Sequence, residues 1–295
     1  VVSKLPALGD VQGYDDYQKM LQEEKLDFVD IAVPHFLHKE ILIASAQAGV
    51  NIIIEKPLAT TLEEADLMLE AVEENKVNLC VLHNYRYNLS TAKALELIKE
   101  GRIGKPFLIR SEGLGGSHWS GAKGYDPDWR TKSAKSGGGC LLDNGYHNIY
   151  LAREMMQSPV KSVYARVGTF VQDINVDDTA VLLLNHESGG TSSIQVSWSV
   201  KAGGVVANEV HGDKGSISFN RENRPLSLFS NRTGQWEYPE LKEGFKNSFA
   251  GLMHDCFEAV RKGRPVPTDG REARRNLEII RAAYESAKTG KVIEV

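Results

Sequence analysis

Three ionisable side chains stand out by type and spacing. Lys56 closes the apolar run Ile52-Ile53-Ile54-Glu55-Lys56-Pro57, so it sits where a buried strand ends. Asp143 and His147 lie four residues apart, just after Gly137-Gly138-Gly139, and share one face of a helix. A carboxylate beside an imidazole fixes the ring's tautomer and raises its basicity, which suits a general base. A lysine held against a proline and partly withdrawn from water is suited to assist proton transfer. Together the three could move a proton at an alcohol or sugar carbon. Each also has a plainer explanation: a solvated lysine, a capping aspartate, a satisfied core histidine. Cys140 shares the helix face, but Cys, Asp and His make an unusual ligand set with no evident fourth member, so no metal is expected. The Lys56-Pro57 bond is a candidate cis peptide.

The elements that must hold these residues follow from periodicity. Apolar runs at 28–33, 50–54 and 77–82 read as buried strands. Helical patterns occupy 14–26, 38–48 (stopped by Gly49) and a stretch opened by the capping box Thr61-Leu62-Glu63-Glu64. Continuous apolar strands alternating with helices predict a parallel sheet covered on both faces. Beyond Asn84 the pattern changes. A helix over 90–99 and a strand over 107–113 precede a loop to Gly139, and a helix is expected over 140–156. Period-two segments at 162–171, 179–184, 192–199, 207–211 and 216–219 predict a mostly antiparallel sheet, and helices at 245–262 and 269–289 close the chain.

The fold class expected is therefore α/β plus α+β: residues 1–83 form a nucleotide-binding-type domain, and residues 84–295 an α+β domain with an open sheet, its last helices packing back on the first. Ligands of open parallel sheets bind outside the carboxyl ends of the strands, where Pro34, His38, Glu55 and Lys56 fall. A dinucleotide-binding sheet normally opens with a strand and Gly-x-Gly-x-x-Gly, and no such motif occurs in the sequence. The three strands look like the third to fifth of such a sheet, with the earlier ones expected upstream of Val1. Trp119, Tyr125, Trp129 and Arg130 crowd the loop before the glycines, where aromatic faces could meet a sugar or cofactor ring. The glycine run would let backbone approach a ligand, and the helix start behind it favours anions. Asn84-Tyr85-Arg86-Tyr87 marks the junction.

The 295 residues carry a formal net charge of -4, with no basic footprint for nucleic acid or an anionic membrane. Nor does any apolar run approach a membrane span. Three scattered cysteines argue against a disulfide framework and for a reducing compartment, the cytoplasm.

Taken in order, these segments resemble the glucose-fructose oxidoreductase / inositol dehydrogenase / rhizopine catabolism (Gfo/Idh/MocA) family. The resemblance rests on Asp30 to His38, Glu55-Lys56-Pro57, Asn84-Tyr85-Arg86-Tyr87, Trp129-Arg130, Gly137 to His147 and Gly263-Arg264-Pro265. It implies a Rossmann domain, a C-terminal domain whose open sheet makes homodimer or homotetramer contacts, and NAD or NADP as cofactor. It implies oxidation or reduction of a carbohydrate, polyol or sugar derivative, with His147 as acid/base, Lys56 assisting near the nicotinamide, and Asp143 placing substrate and histidine. Pro34, His38, Glu55, Lys56, Arg86, Trp129 and Arg130 would line the cofactor side. Tyr150 departs from the family, many members having an acid there. Two alternatives remain: a binding or regulatory protein on the same scaffold, and an enzyme of glycosidase or epimerase type using transient oxidation.

Overall fold

A computed structural model describes residues 11–118, 128–202, 204–221, 224–241 and 247–295. Strands β1 (Phe28–Ile31), β2 (Asn51–Ile54) and β3 (Leu79–Val81) form a parallel sheet in the order β1-β2-β3. The apolar run explains β2: Ile52, Ile53 and Ile54 are all buried, as a sheet covered on both faces requires. Helices α1 (Tyr17–Glu23), α2 (His38–Gln47) and α3 (Leu62–Glu74) surround it. Thr61 caps α3 by accepting the Glu64 backbone N–H, so the capping-box reading marks the true start. A 3-10 turn over Asn84–Tyr87 leads into α4 (Leu89–Lys99).

The second sheet has nine strands. They are β4 (Pro106–Leu114), β5 (Val160–Gly168), β6 (Thr179–His186), β7 (Thr191–Ser197), β8 (Val205–Gly212), β9 (Gly215–Arg221), β10 (Arg224–Ser230), β11 (Gln235–Glu237) and β12 (Ile293–Glu294). Their order is β11-β10-β9-β8-β4-β7-β6-β5-β12, and the β4–β7 pair is parallel while the others are antiparallel. Alternation along β6 is regular: Ala180, Leu182 and Leu184 are buried, and Val181 and Leu183 are exposed. One face is thus covered and the other open. The covered face meets α4, α6 (Tyr146–Met156) and α8 (Gly270–Thr289). Helix α8 also touches α3 and β3, and Arg274 pairs with Asp66 of α3. The remaining helices are α5 (Ser133–Ser136) and α7 (Ser248–Arg261).

Several expectations need correction. Strand β5 stops at Gly168 because the Asp178 carboxylate collects the backbone N–H groups of Phe170, Val171 and Gln172 into a turn. Strands β10, β11 and β12 were not expected. Pro225 hides the first, and the other two are too short to show a period. The helix expected from 140 begins as a π-helical turn, Leu141–Gly145. Cys80 of β3 and Cys256 of α7 are joined as a disulfide, 176 residues apart in sequence, a single bridge where the scattered cysteines predicted no disulfide framework. Tertiary packing brings them together, and local spacing carries no trace of it. No helix among the described residues is long and apolar enough to cross a membrane.

Candidate active site

The carboxyl end of β2 carries Glu55, Lys56 and Pro57, and the Lys56-Pro57 peptide is cis. The Lys56 ammonium donates to the Asp143 carboxylate at 2.5 Å and to the Asp143 backbone carbonyl at 3.0 Å. Arg130 donates to the other carboxylate oxygen at 3.2 Å. Burial pushes the Asp143 carboxyl up, but Lys56 and Arg130 outweigh it and hold it well below the usual carboxylate range. Lys56 keeps 12% of its side chain exposed, enough to reach a bound molecule.

What projects Asp143 into this position is the π turn ahead of α6, an irregularity frequent at functional sites. Asp177, just before β6, fixes that turn from outside. Its carboxylate accepts the Gly139 N–H at 2.8 Å, the Leu141 N–H at 2.7 Å and the Tyr284 hydroxyl at 2.7 Å. The anion expected at this helix start is therefore the protein's own. A Cβ on Gly139 would run into the Asp177 backbone, so this glycine serves close chain packing and not a ligand.

His147 is 7% exposed and stacks on Tyr85, with ring centroids 3.9 Å apart and planes 9° off parallel. Its Nδ1 pairs with the Tyr150 hydroxyl at 3.0 Å and not with Asp143, whose oxygens are taken by Lys56 and Arg130. This corrects the expected carboxylate–imidazole pair. The Tyr150 hydroxyl takes the place of a carboxylate at Nδ1. Nε2 has no hydrogen-bond partner among the described residues. Burial, then the Lys56 charge, push the His147 imidazole well below its ordinary range.

The other candidates divide. His35, on the 3-10 turn that Pro34 opens, was not singled out from the sequence. Its Nδ1–H donates to the Ser136 carbonyl at 2.9 Å, and burial pushes its pKa down to about 3. Trp129 is buried between the His35 edge and the Arg130 guanidinium. Glu55 is half-buried, desolvation raises its carboxyl, and it accepts the Lys56 backbone N–H. His38 is fully buried with both ring nitrogens facing backbone carbonyls, of Val33 on one side and Pro57 and Leu58 on the other. Its ring braces the Lys56 segment. Arg86 pairs with Glu154 and Glu272 and donates to Thr268, which commits its guanidinium to the junction. Trp119 and Tyr125 lie outside the described residues. Among the described residues no three His, Cys, Asp or Glu side chains gather as a metal site requires. The sequence marked Tyr150 as a departure from the family without pairing it to His147, which its spacing of three on a helix could have flagged, and left unnoticed Asp177, which no local signal marks.

A lysine, an aspartate and a histidine gathered beyond the carboxyl end of a parallel sheet, beside an open second sheet, define a Rossmann-type oxidoreductase architecture. Comparison with known proteins makes this specific. Residues 3–83 match the model of the oxidoreductase family with an NAD-binding Rossmann fold, and residues 91–218 match the GFO/IDH/MocA C-terminal domain. The chain belongs to the Gfo/Idh/MocA oxidoreductase family. It is 28% identical to levoglucosan dehydrogenase of Pseudarthrobacter phenanthrenivorans, over 85% of this chain and 75% of that protein. It is 26% identical to scyllo-inositol 2-dehydrogenase (NAD(+)) of Bacillus subtilis, over 98% and 83%. Among solved structures, levoglucosan dehydrogenase in complex with NADH and levoglucosan superposes with a TM-score of 0.84 at 28% identity, over 96% of this chain and 83% of that one.

Proposed function

We propose that the protein is an NAD(P)-dependent oxidoreductase acting on a sugar, polyol or sugar derivative, with Lys56, Asp143 and His147 handling the proton of the reacting oxygen. The observation that carries this reading is the convergence of a partly exposed Lys56, held by Asp143, with His147 Nε2 left without a hydrogen-bond partner among the described residues. The site suits an alcohol or carbonyl oxygen: it offers a cation and an imidazole edge in a dry, aromatic-walled setting. The relatives named above act on levoglucosan and scyllo-inositol, both polyhydroxylated rings, which supports the substrate class.

The residues present fit the nicotinamide end of the cofactor. Pro34 and Glu55 stand at the carboxyl ends of neighbouring strands, and the half-buried Glu55 carboxyl has capacity to accept from a carboxamide. Trp129 packs on His35 beside Pro34, with the Arg130 guanidinium over its ring. A bound nicotinamide supplies hydride donation and acceptance. The chain's own residues bind and orient the substrate, and exchange the proton at its oxygen. Division of the chain after residue 83 belongs to the same reading. So does association through the open sheet face, where Tyr164 stands opposite the exposed Leu183 and Val181 lies on the same strand.

The test is absorbance of NADH or NADPH with a panel of polyols and sugars. Net cofactor reduction supports a dehydrogenase. Turnover without net reduction supports transient oxidation, and binding without turnover a sensor.

A further inference from the structure

We propose that Tyr150 is a positioning residue that holds His147 as its neutral Nε2–H tautomer, so that the ring meets the reacting oxygen as a hydrogen-bond donor and leaves net proton exchange to Lys56. The proposal rests on the oxidoreductase reading of this site, and it shifts the expected division of labour between the two groups.

Tyr150 is fully buried on α6. Its oxygen accepts the Tyr85 backbone N–H at 3.1 Å, and an N–H can only donate. The hydroxyl proton then has one acceptor among the described residues, His147 Nδ1 at 3.0 Å. A ring nitrogen that accepts carries no proton, so the neutral ring carries it on Nε2. The opposite assignment would point two N–H donors at the Tyr150 oxygen and strand the hydroxyl proton in the interior. A carboxylate at position 150 would impose that opposite tautomer, because it has no proton to give and would require Nδ1–H.

The surroundings keep both groups neutral. Burial pushes the Tyr150 phenol well up, and burial together with the Lys56 charge pushes the His147 imidazole well down. The stack on Tyr85 holds the plane of the ring. As negative charge builds on the substrate oxygen, the Lys56 Nζ–H bond breaks and an O–H bond forms, leaving an amine beside Asp143. In the reverse direction the amine takes the proton back. The His147 Nε2–H bond survives throughout and stabilises the oxygen, as a neutral electrophilic imidazole does in other enzymes.

The experiment is nitrogen NMR of the full chain with 15N-labelled histidine, His147 being assigned by its loss in His147→Gln. Around neutral pH, Nδ1 should appear as the unprotonated ring nitrogen and Nε2 as the protonated one. In Tyr150→Phe the Nδ1 signal should shift as it loses its donor, and kcat should fall about tenfold with KM changed less than about twofold. A protonated Nδ1 in the wild type overturns the proposal. So does a His147 Nδ1 signal unmoved by Tyr150→Phe, or a loss expressed in KM alone. The wild-type spectrum is decisive even if the variant folds poorly. The predicted tautomer in a protein that turns over no sugar or polyol would support the positioning assignment and count against the oxidoreductase reading.

Discussion

Two partly buried charge clusters flank α6. At its start Lys56, Asp143 and Arg130 meet, and in its last turns Arg86, Glu154 and Glu272 meet. Lys56 and Arg86 have similar side-chain exposure, 12% and 14%. Burial therefore does not separate them. What separates them is where the remaining hydrogen-bonding capacity points. Arg86 spends its guanidinium on Glu154, Glu272, Thr268 and the Pro267 carbonyl, and so ties the junction turn to α6 and α8. Among the described residues the Lys56 ammonium donates to Asp143 alone, and beside it one His147 ring nitrogen has no hydrogen-bond partner. A cluster closed on itself is architecture; a cluster with open valences at a strand's carboxyl end is equipped for chemistry. The first contributes mainly to specificity of packing, since taking charges out of water offsets much of their attraction.

Substitutions can break this contrast. Lys56→Ala should reduce kcat by about 10²–10⁴-fold, the range for losing a proton-handling group, and also lower stability, because it leaves the Asp143 carboxylate with Arg130 as its remaining charged partner among the described residues. Arg86→Ala should act on stability alone, lowering it by about 2–3 kcal/mol in urea titrations because it strands the Glu154 and Glu272 carboxylates. Were Arg86→Ala to abolish turnover in a protein of unchanged stability, the guanidinium would belong to the site. Asp177→Asn should cost about 1–2 kcal/mol, since one oxygen that accepted backbone N–H and hydroxyl donors becomes an amide.

Acid should test the buried histidines. His35, His38, His83 and His147 all have imidazoles pushed down by burial, His35 to about 3. Each stays neutral in the fold and is free to protonate when unfolded. The unfolded chain therefore binds more protons once pH falls below the ordinary histidine value of about 6.5, and stability present above it is lost below it. Melting temperature should fall from pH 7 to pH 5, with each histidine contributing up to about 1.4 kcal/mol per pH unit. Replacing His83 by Phe should make that slope shallower. The smallest effect should come from Leu183→Lys on the open sheet face. It should leave turnover per chain nearly unchanged and move light-scattering mass toward the monomer.

The legible part of the molecule was the local part. The apolar runs and the Thr61 cap located the parallel sheet, and the motif order located Lys56, Asp143 and His147, because period and capping are properties of neighbouring residues. The partners of those residues were less legible. Asp143 and His147 looked paired because they share a helix face, yet Lys56 and Arg130 reach Asp143 from other elements. Likewise, the glycine run read as a ligand approach until Asp177 filled the space in front of it. His38 has a motif position suited to binding, but backbone carbonyls surround both its ring nitrogens. Side-chain types mark where chemistry is affordable; long-range contacts decide which groups remain available for it.

The most direct test of the central claim is hydride transfer measured as NADH or NADPH absorbance, on wild type, Lys56→Ala and His147→Gln, against a panel of polyols and sugars. The account predicts net cofactor reduction with at least one polyhydroxylated ring in the wild type, and a loss of about a hundredfold or more in both variants. Wild-type rates retained in both variants would contradict it.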